Sequence, residues 1–394
     1  MKGTYAMDFV VGGANGNIES VPVMPKANVL PFESRRCSAE QLRTIALQLP
    51  PEDCLQNQRQ PWTSQCSFSR ASSCPNHVWL EQVHSRASTN TSFVSYFVGC
   101  NKAIDAVETL HLGSGKNPKY DVDAWKQALI NSIDSKEGKK AFAKSSCDQF
   151  GLSLERKQNG TKSFRPANVF CFEPVTATFR VLQKAKMTLG WHNELILEQA
   201  AVSNEPGTLF VPNNIKIGEE QKGMNDHQAN CGKAAKDGGD AEGCLQVPVY
   251  TLNDYVMSLP QSSQQFSKAQ KQIIHFLSID VEGYDLEVLR GATSVLTEQV
   301  QYLEFEYNWK GPWGKSSLKE ALHFLDENGF TCYWPGAQGE LWKITGCWLD
   351  HYSMHFWSNV ACVNRLMGEQ ARELAVRMEE IFVETLAKND TIRY

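Results

Sequence analysis

Apolar residues along this chain fall into short runs that alternate with stretches of helical spacing. Residues 93–98 form such a run and stop at Gly99, and Ile104, Val107 and Leu110 follow at helical intervals. Residues 167–172 form a second run, closed by Glu173-Pro174 and followed by Phe179, Leu182 and Ala185. Residues 195–202 read as a third strand, with Glu205-Pro206-Gly207 as a turn and 208–211 as its partner strand. A strand and short helix fit 247–257. The run 273–279 halts at Asp280-Val281-Glu282-Gly283, after which Leu286, Leu289, Ala292 and Leu296 share one helical face. Residues 300–306 alternate as a strand, and Ser317-Leu318-Lys319-Glu320 has the spacing of a capping box opening a helix that ends at Gly329. Runs at 330–334, 341–344 and 356–363 give the closing strands, and 368–388 is a periodic helix. Strand, turn and helix in repetition predict an α/β fold.

The flanks differ. Residues 1–90 hold little periodicity beyond a short helix over 38–49 capped by Ser38, and Met7 to Asn17 mimics a glycine-rich cofactor loop. Pro22, Pro25 and Pro31 forbid the helix that such a loop must open, so it reads as a leader. Residues 114–165 are polar, with a helix at 122–133, and read as an insertion over the sheet edge, a lid or a partner surface. The predicted organisation is therefore an irregular extension over 1–90, an α/β domain over 91–365 with an insertion at about 114–165, and a C-terminal helix within 366–394.

Composition narrows the partners. At 394 residues and a net charge of −5, with no run of Lys or Arg, the chain is not suited to nucleic acid or an anionic membrane. No apolar stretch approaches a membrane span, and the first thirty residues lack the layout of a signal peptide, so the chain is expected to be soluble as written. Twelve cysteines are many for a reducing compartment, and Cys37, Cys54, Cys66 and Cys74 lie where staples would help most. No C-x-x-C pair occurs, which argues against structural zinc, and no metal site is expected. With sequons at Asn90, Asn159 and Asn389, the cysteines fit a secretory or Golgi lumen if the chain has been trimmed, while the missing targeting segment argues the other way, so the compartment stays open. Nothing in the composition fixes the oligomeric state.

The densest signal is Ser278-Ile279-Asp280-Val281-Glu282-Gly283-Tyr284-Asp285-Leu286-Glu287-Val288-Leu289-Arg290-Gly291-Ala292. It resembles the signature segment of the FkbM-type S-adenosylmethionine-dependent methyltransferases, whose pattern is close to I-D-V-E-G-x-E-x-E-V-L-x-G-A. The resemblance extends to Val98, Gly99, Asn101 and Ala103, which fall on a D-V-G-A-N-x-G loop, to Phe172-Glu173-Pro174, and to Ala201-Val202-Ser203. It departs at Phe97, where the family has an acid, and at Ala103, where it has a second glycine.

The resemblance implies a class I methyltransferase fold: a Rossmann-like, doubly wound, mostly parallel seven-stranded sheet, with S-adenosyl-L-methionine as cofactor. It assigns Gly99, Asn101, Glu173 and Ser203 to the cofactor. A carboxylate ending the second strand of a nucleotide-binding α/β sheet can accept both ribose hydroxyl protons, which is the role expected of Glu173. Asp280 or Glu282 would orient an acceptor or take its proton, with Glu306 as a further candidate. The expected reaction is O-methylation of a hydroxyl on a glycan or small metabolite. Aromatic stacking on sugars would suit the six tryptophans from Trp309 to Trp357, although packing is the commoner use. Two alternatives stay open: a methyltransferase-like binding protein without turnover, motivated by Phe97 and Ala103, and a nucleotide-sugar transferase using Asp121-Val122-Asp123. His351 and His355 beside Asp350, and His227 beside Asp226, are expected to be structural or solvated.

Overall fold

The computed structural model describes residues 36–49, 92–134, 164–212, 244–259, 271–336, 339–353 and 358–388, with isolated positions at 136, 139, 215, 217, 218, 231 and 355. The leader loop at Met7, the asparagines of the three sequons, Asp226 and His227 lie outside them.

In chain order the elements are α1 (Ala39–Gln48), β1 (Phe93–Val98), α2 (Ile104–Gly113), α3 (Val122–Asn131), β2 (Ala167–Phe172), α4 (Thr176–Leu189), β3 (Leu195–Glu198), β4 (Ala201–Val202), β5 (Gly207–Pro212), β6 (Cys244–Tyr250), α5 (Leu252–Ser258), β7 (Phe276–Ile279), α6 (Asp285–Arg290), α7 (Thr293–Glu298), β8 (Tyr302–Tyr307), α8 (Leu318–Glu327), β9 (Phe330–Pro335), β10 (Leu341–Lys343), β11 (Ser358–Asn364) and α9 (Gly368–Leu386). Eight strands form one sheet in the order β10-β9-β11-β8-β7-β1-β2-β3. The pairs from β8 through β7, β1 and β2 to β3 are parallel, while β8–β11, β11–β9 and β9–β10 are antiparallel. The expected seven-stranded sheet is thus an eight-stranded mixed one. The chain builds outward from β1 to β3, then returns to lay β7 against the other side of β1, so the strand order reverses between β1 and β7. A crevice at the carboxyl ends of the strands opens at such a reversal.

Alternate residues of a strand face opposite sides, so each side of the sheet has its own packing. Phe93, Ser95 and Phe97 face α2, whose Gly113 lies so near the Phe93 ring that a Cβ there would meet it at 2.3 Å. On the opposite side Tyr96 stacks on Phe170, and Tyr255 of α5 meets Phe170 and Phe172 edge-on. Trp125 of α3 is buried and stacked on Trp191, so this part of the expected insertion belongs to the helical layer.

Three local expectations change. Residues 195–202 are two strands: β3 ends the large sheet, and β4 leaves it to join β6 and β5 in a second sheet of order β4-β6-β5. Residues 208–211 therefore pair with β6 and not with the strand before the turn. The helix after Asp280 is broken into α6 and α7 at Gly291, where a Cβ would lie 2.1 Å from the Ser203 carbonyl oxygen. At α8 the Ser317 hydroxyl accepts from the Lys319 N–H, while Glu320 pairs with Arg290, so the capping box is not made. At α1 a capping box does form, between Ser38 and Gln41.

The first and last described helices are tied to the sheet and to each other. Gln48 of α1 donates to the carbonyls of Thr385 and Lys388 and accepts from the Trp342 indole. Cys37 is bonded to Cys347. Three further disulfides join Cys100 to Cys171, Cys231 to Cys244 and Cys332 to Cys362, the last two residues lying opposite each other on β9 and β11. No helix among the described residues is long and apolar enough to cross a membrane.

Candidate active site

The register of four parallel strands sets the site. Val98 is opposite both Phe172 and Ile279, and Ile279 is opposite Phe305. One residue further on, Glu173, Gly99, Asp280 and Glu306 form a single row across β2, β1, β7 and β8, on the side that carries α2. Four of the seven residues assigned from sequence therefore meet at one edge.

Gly99 is the pivot of this row. Its φ is +85°, and a Cβ on it would lie 1.8 Å from the Asp280 carbonyl oxygen, so only glycine fits. Its N–H and that of Cys100 both donate to the Phe172 carbonyl. Asn101 and Ala103 also take left-handed φ values, 43° and 53°. Asparagine tolerates that region, and alanine there costs about 1–2 kcal/mol, so the missing second glycine is accommodated with its backbone shape kept. The Cys100–Cys171 disulfide fastens this loop to β2.

Glu173 is buried beside the loop. Its Oε1 accepts from the Val175 N–H at 2.8 Å, and the backbone N–H of Asn101 also faces it. Burial outweighs these donors and pushes its carboxyl up to about 8.

Asp280 and Glu306 stand in an acidic group. Asp280 is exposed at the rim, and the protein around it is enough to desolvate its carboxyl. Desolvation raises its carboxyl well above the ordinary value, and the charges of Glu282, Asp285 and Asp105 add to this while Lys310 opposes it. Glu306 is buried and raised in the same way, by desolvation and then by Asp280, Glu282 and Asp285. The Asn308 amide donates to Glu306 Oε2 at 2.5 Å.

Glu282 is held by two features. Its φ of +56° is unusual for a non-glycine residue, and its carboxylate pairs with Lys310. The next residue, Gly283, has φ +100°, and a Cβ on it would lie 2.3 Å from the Lys310 carbonyl oxygen. The β7–α6 turn and the β8 exit loop are thus pressed backbone to backbone, a local strain typical of functional sites.

Sequence reasoning missed Asp285, Lys310 and Asn308 as members of this group. Asp285 is fully buried, accepts from the Gly283 N–H, and is pushed up to about 7 by desolvation. It stands inside the quoted signature, so its position was visible; Lys310 could be found only through the fold. Ser203 is not brought into the row. Its N–H donates to Tyr250, its hydroxyl to Asn204, and its carbonyl abuts Gly291.

The remaining candidates are structural. Asp121 caps α3 by accepting from the Ala124 N–H, which takes one acid of the D-x-D triplet out of metal chemistry. His355 lies 3.0 Å from the Trp313 carbonyl, and Asp350 accepts from the Trp348 indole. Among the described residues no group of three or more His, Cys, Asp or Glu could hold a metal ion. Trp313, Trp334 and Trp342 are buried, while Trp309, at the rim beside Lys310, is 45% exposed.

An α/β sheet whose order reverses beside a left-handed glycine loop, with an acid ending the second strand, has the arrangement of nucleotide-binding α/β enzymes. Residues 153–332 match the family model described as Methyltransferase FkbM domain, which assigns this stretch to the FkbM methyltransferases. The match holds Glu173, Ser203, Asp280, Glu282 and Glu306 and begins after the Gly99 loop. No curated protein matches the chain. The chain is similar to a solved structure of Methyltransferase FkbM from Methylobacillus flagellatus KT, at 11% identity and a TM-score of 0.36, covering 82% of this chain and 58% of that one.

Proposed function

We propose that this protein is an S-adenosyl-L-methionine-dependent O-methyltransferase acting on a hydroxyl of a glycan or small metabolite. The observation that carries the reading is the single row of Glu173, Gly99, Asp280 and Glu306 at the strand-order reversal. Gly99 and Asn101 would shape the loop around the cofactor, and Glu173 would accept from its ribose hydroxyls. The bound cofactor supplies a methyl group on a sulfonium leaving group. The protein must then hold an acceptor oxygen in line, about 3 Å from the methyl carbon, and remove its proton. Asp280 would take that proton, Glu306 shares its electrostatic environment, and the Glu282–Lys310 pair fixes the wall beside them. Four disulfides among the described residues favour an oxidising compartment such as the secretory lumen.

Calorimetry with S-adenosyl-L-methionine tests the cofactor site. Wild type should bind, and Glu173→Ala should bind at least about tenfold more weakly. Absence of binding by wild type would favour the binding protein without turnover, which has one observation of its own: Phe97 fills the position of the family's acid with an aromatic ring packed edge-on against Phe276.

A further inference from the structure

One row below the rim, on the same side of the sheet, Cys171, Phe97, Ser278 and Glu304 follow each other across β2, β1, β7 and β8. Every residue of β1, β7 and β8 is buried except Ser278, which is half-buried. A partly open serine in the middle of a central strand means that the crevice reaches down past Asp280 to this level. Beside it is Glu304, only 3% exposed. Its Oε1 accepts from the Tyr302 hydroxyl at 2.5 Å, and its Oε2 has no hydrogen-bond partner among the described residues. Asp105 lies close enough to act on both Glu304 and Asp280. It stands four and eight residues before Thr109 and Gly113, and Gly113 contacts Phe93, so this stripe of α2 faces the sheet.

A buried carboxylate oxygen without a partner is costly unless a donor or a cation arrives to pair with it. The tyrosine bond holds Glu304 in one orientation and leaves its other oxygen buried and without a hydrogen-bond partner among the described residues. The position that carries an acid in the FkbM pattern is occupied here by Phe97, in the same row but two strands away, a separation of roughly 9–10 Å. We propose that Glu304 and Asp105 form a buried anionic subsite for the ammonium group of the cofactor's amino-acid end, reached past Ser278, in place of a carboxylate at position 97. The subsite rests on the cofactor reading above and deepens it. It sets the amino-acid end over β7 and β8 and leaves the ribose at Glu173. Desolvation holds Glu304 up at about 7, the state of a carboxyl lacking its counter-charge, and a bound ammonium would draw it down.

Two nucleosides test this by calorimetry at pH 7.5 on the full chain with its disulfides intact. S-adenosylhomocysteine carries the ammonium, and 5′-methylthioadenosine keeps the adenosine and sulfur but lacks the amino-acid end. Glu304→Gln should weaken S-adenosylhomocysteine binding by about 10- to 100-fold and change methylthioadenosine binding less than about twofold. Asp105→Asn, in the first turn of α2, should act in the same direction and carries the test if Glu304→Gln does not fold, which circular dichroism reads. Equal losses for both nucleosides, or no loss for either, would overturn the subsite. Wild type binding both nucleosides alike would overturn it too while leaving the nucleoside site standing. Wild type binding neither would remove the methyltransferase reading and the subsite together.

Discussion

Gly99 and Asp280 meet backbone to backbone at the point where the strand order reverses, leaving no room for even a methyl group between them. That contact couples the loop after β1 to the turn after β7. Gly99→Ala must therefore move one strand end and also adopt φ +85°. A loss of more than about 3 kcal/mol is expected in urea unfolding. Gly190→Ala is the control: its φ is +68° with nothing within 4 Å of the added Cβ, so only the backbone penalty of about 1 kcal/mol should appear. Equal costs at the two sites would mean that the contact is not tight in solution.

The Cys100–Cys171 disulfide closes 71 residues of chain and ends at the loop beside Gly99. Loop-closure entropy gives an upper value of about 4 kcal/mol for removing it. The double variant Cys100→Ser with Cys171→Ser should lose stability up to that amount in urea. It should also weaken S-adenosylhomocysteine binding, because the loop then has to be ordered by the ligand. Unchanged affinity would show that hydrogen bonds to Phe172 hold the loop without the covalent tie.

Stability should depend on pH in two opposite ways. Glu173 is raised from an ordinary 4.5 to about 8, Glu304 from 4.5 to about 7 and Asp285 from 3.8 to about 7. Between about 4 and 8 the folded chain keeps protons that the unfolded chain has released, so stability falls as pH rises through that window. His275 runs the other way. Burial and Arg165 lower it from 6.5 to about 4, so the unfolded chain gains a proton first and stability is lost as pH falls from 6.5 toward 4. Three raised carboxyls outweigh one lowered histidine, so urea unfolding of the ligand-free protein should become progressively easier from about pH 4 to pH 8. Glu304→Gln should shrink the drop between pH 5 and pH 9 by roughly 3 kcal/mol; an unchanged drop would mean that Glu304 is not buried as described.

Much of this site was legible because its parts are local. Strand ends marked by Gly99, Glu173 and Asp280 announce themselves through an apolar run and a breaker, and the alternation of 300–306 placed Glu306 at the same edge. Register then brought the four into one row, which no local pattern could show. What the sequence hid was set by distant contacts. The break at Gly291 depends on Ser203, the partner of β5 is β6 across a long connection, and the acids Asp105 and Glu304 meet only because α2 lies over that side of the sheet. Cys37 gave no hint of Cys347, since 310 positions separate them.

The division of labour in the row can be read from kinetics. Glu173→Gln should raise the cofactor dissociation constant and leave turnover at saturation within about threefold, because its contact would be uniform between ground and transition states. Asp280→Asn should do the reverse, lowering turnover by about 10²- to 10⁴-fold with cofactor affinity little changed. The pH profile separates a proton acceptor from a merely structural acid. Since desolvation and the neighbouring acids raise both Asp280 and Glu306, the charged base accumulates only as pH rises, and wild-type turnover should climb with pH above the ordinary carboxylate range. Asp280 is itself among the charges that raise Glu306, after desolvation. In Asp280→Asn that push is gone, so any residual activity carried by Glu306 should have its rising limb at lower pH. A profile that keeps its position after this substitution would mean that neither carboxyl takes the acceptor's proton, and that the row serves to position the substrates alone.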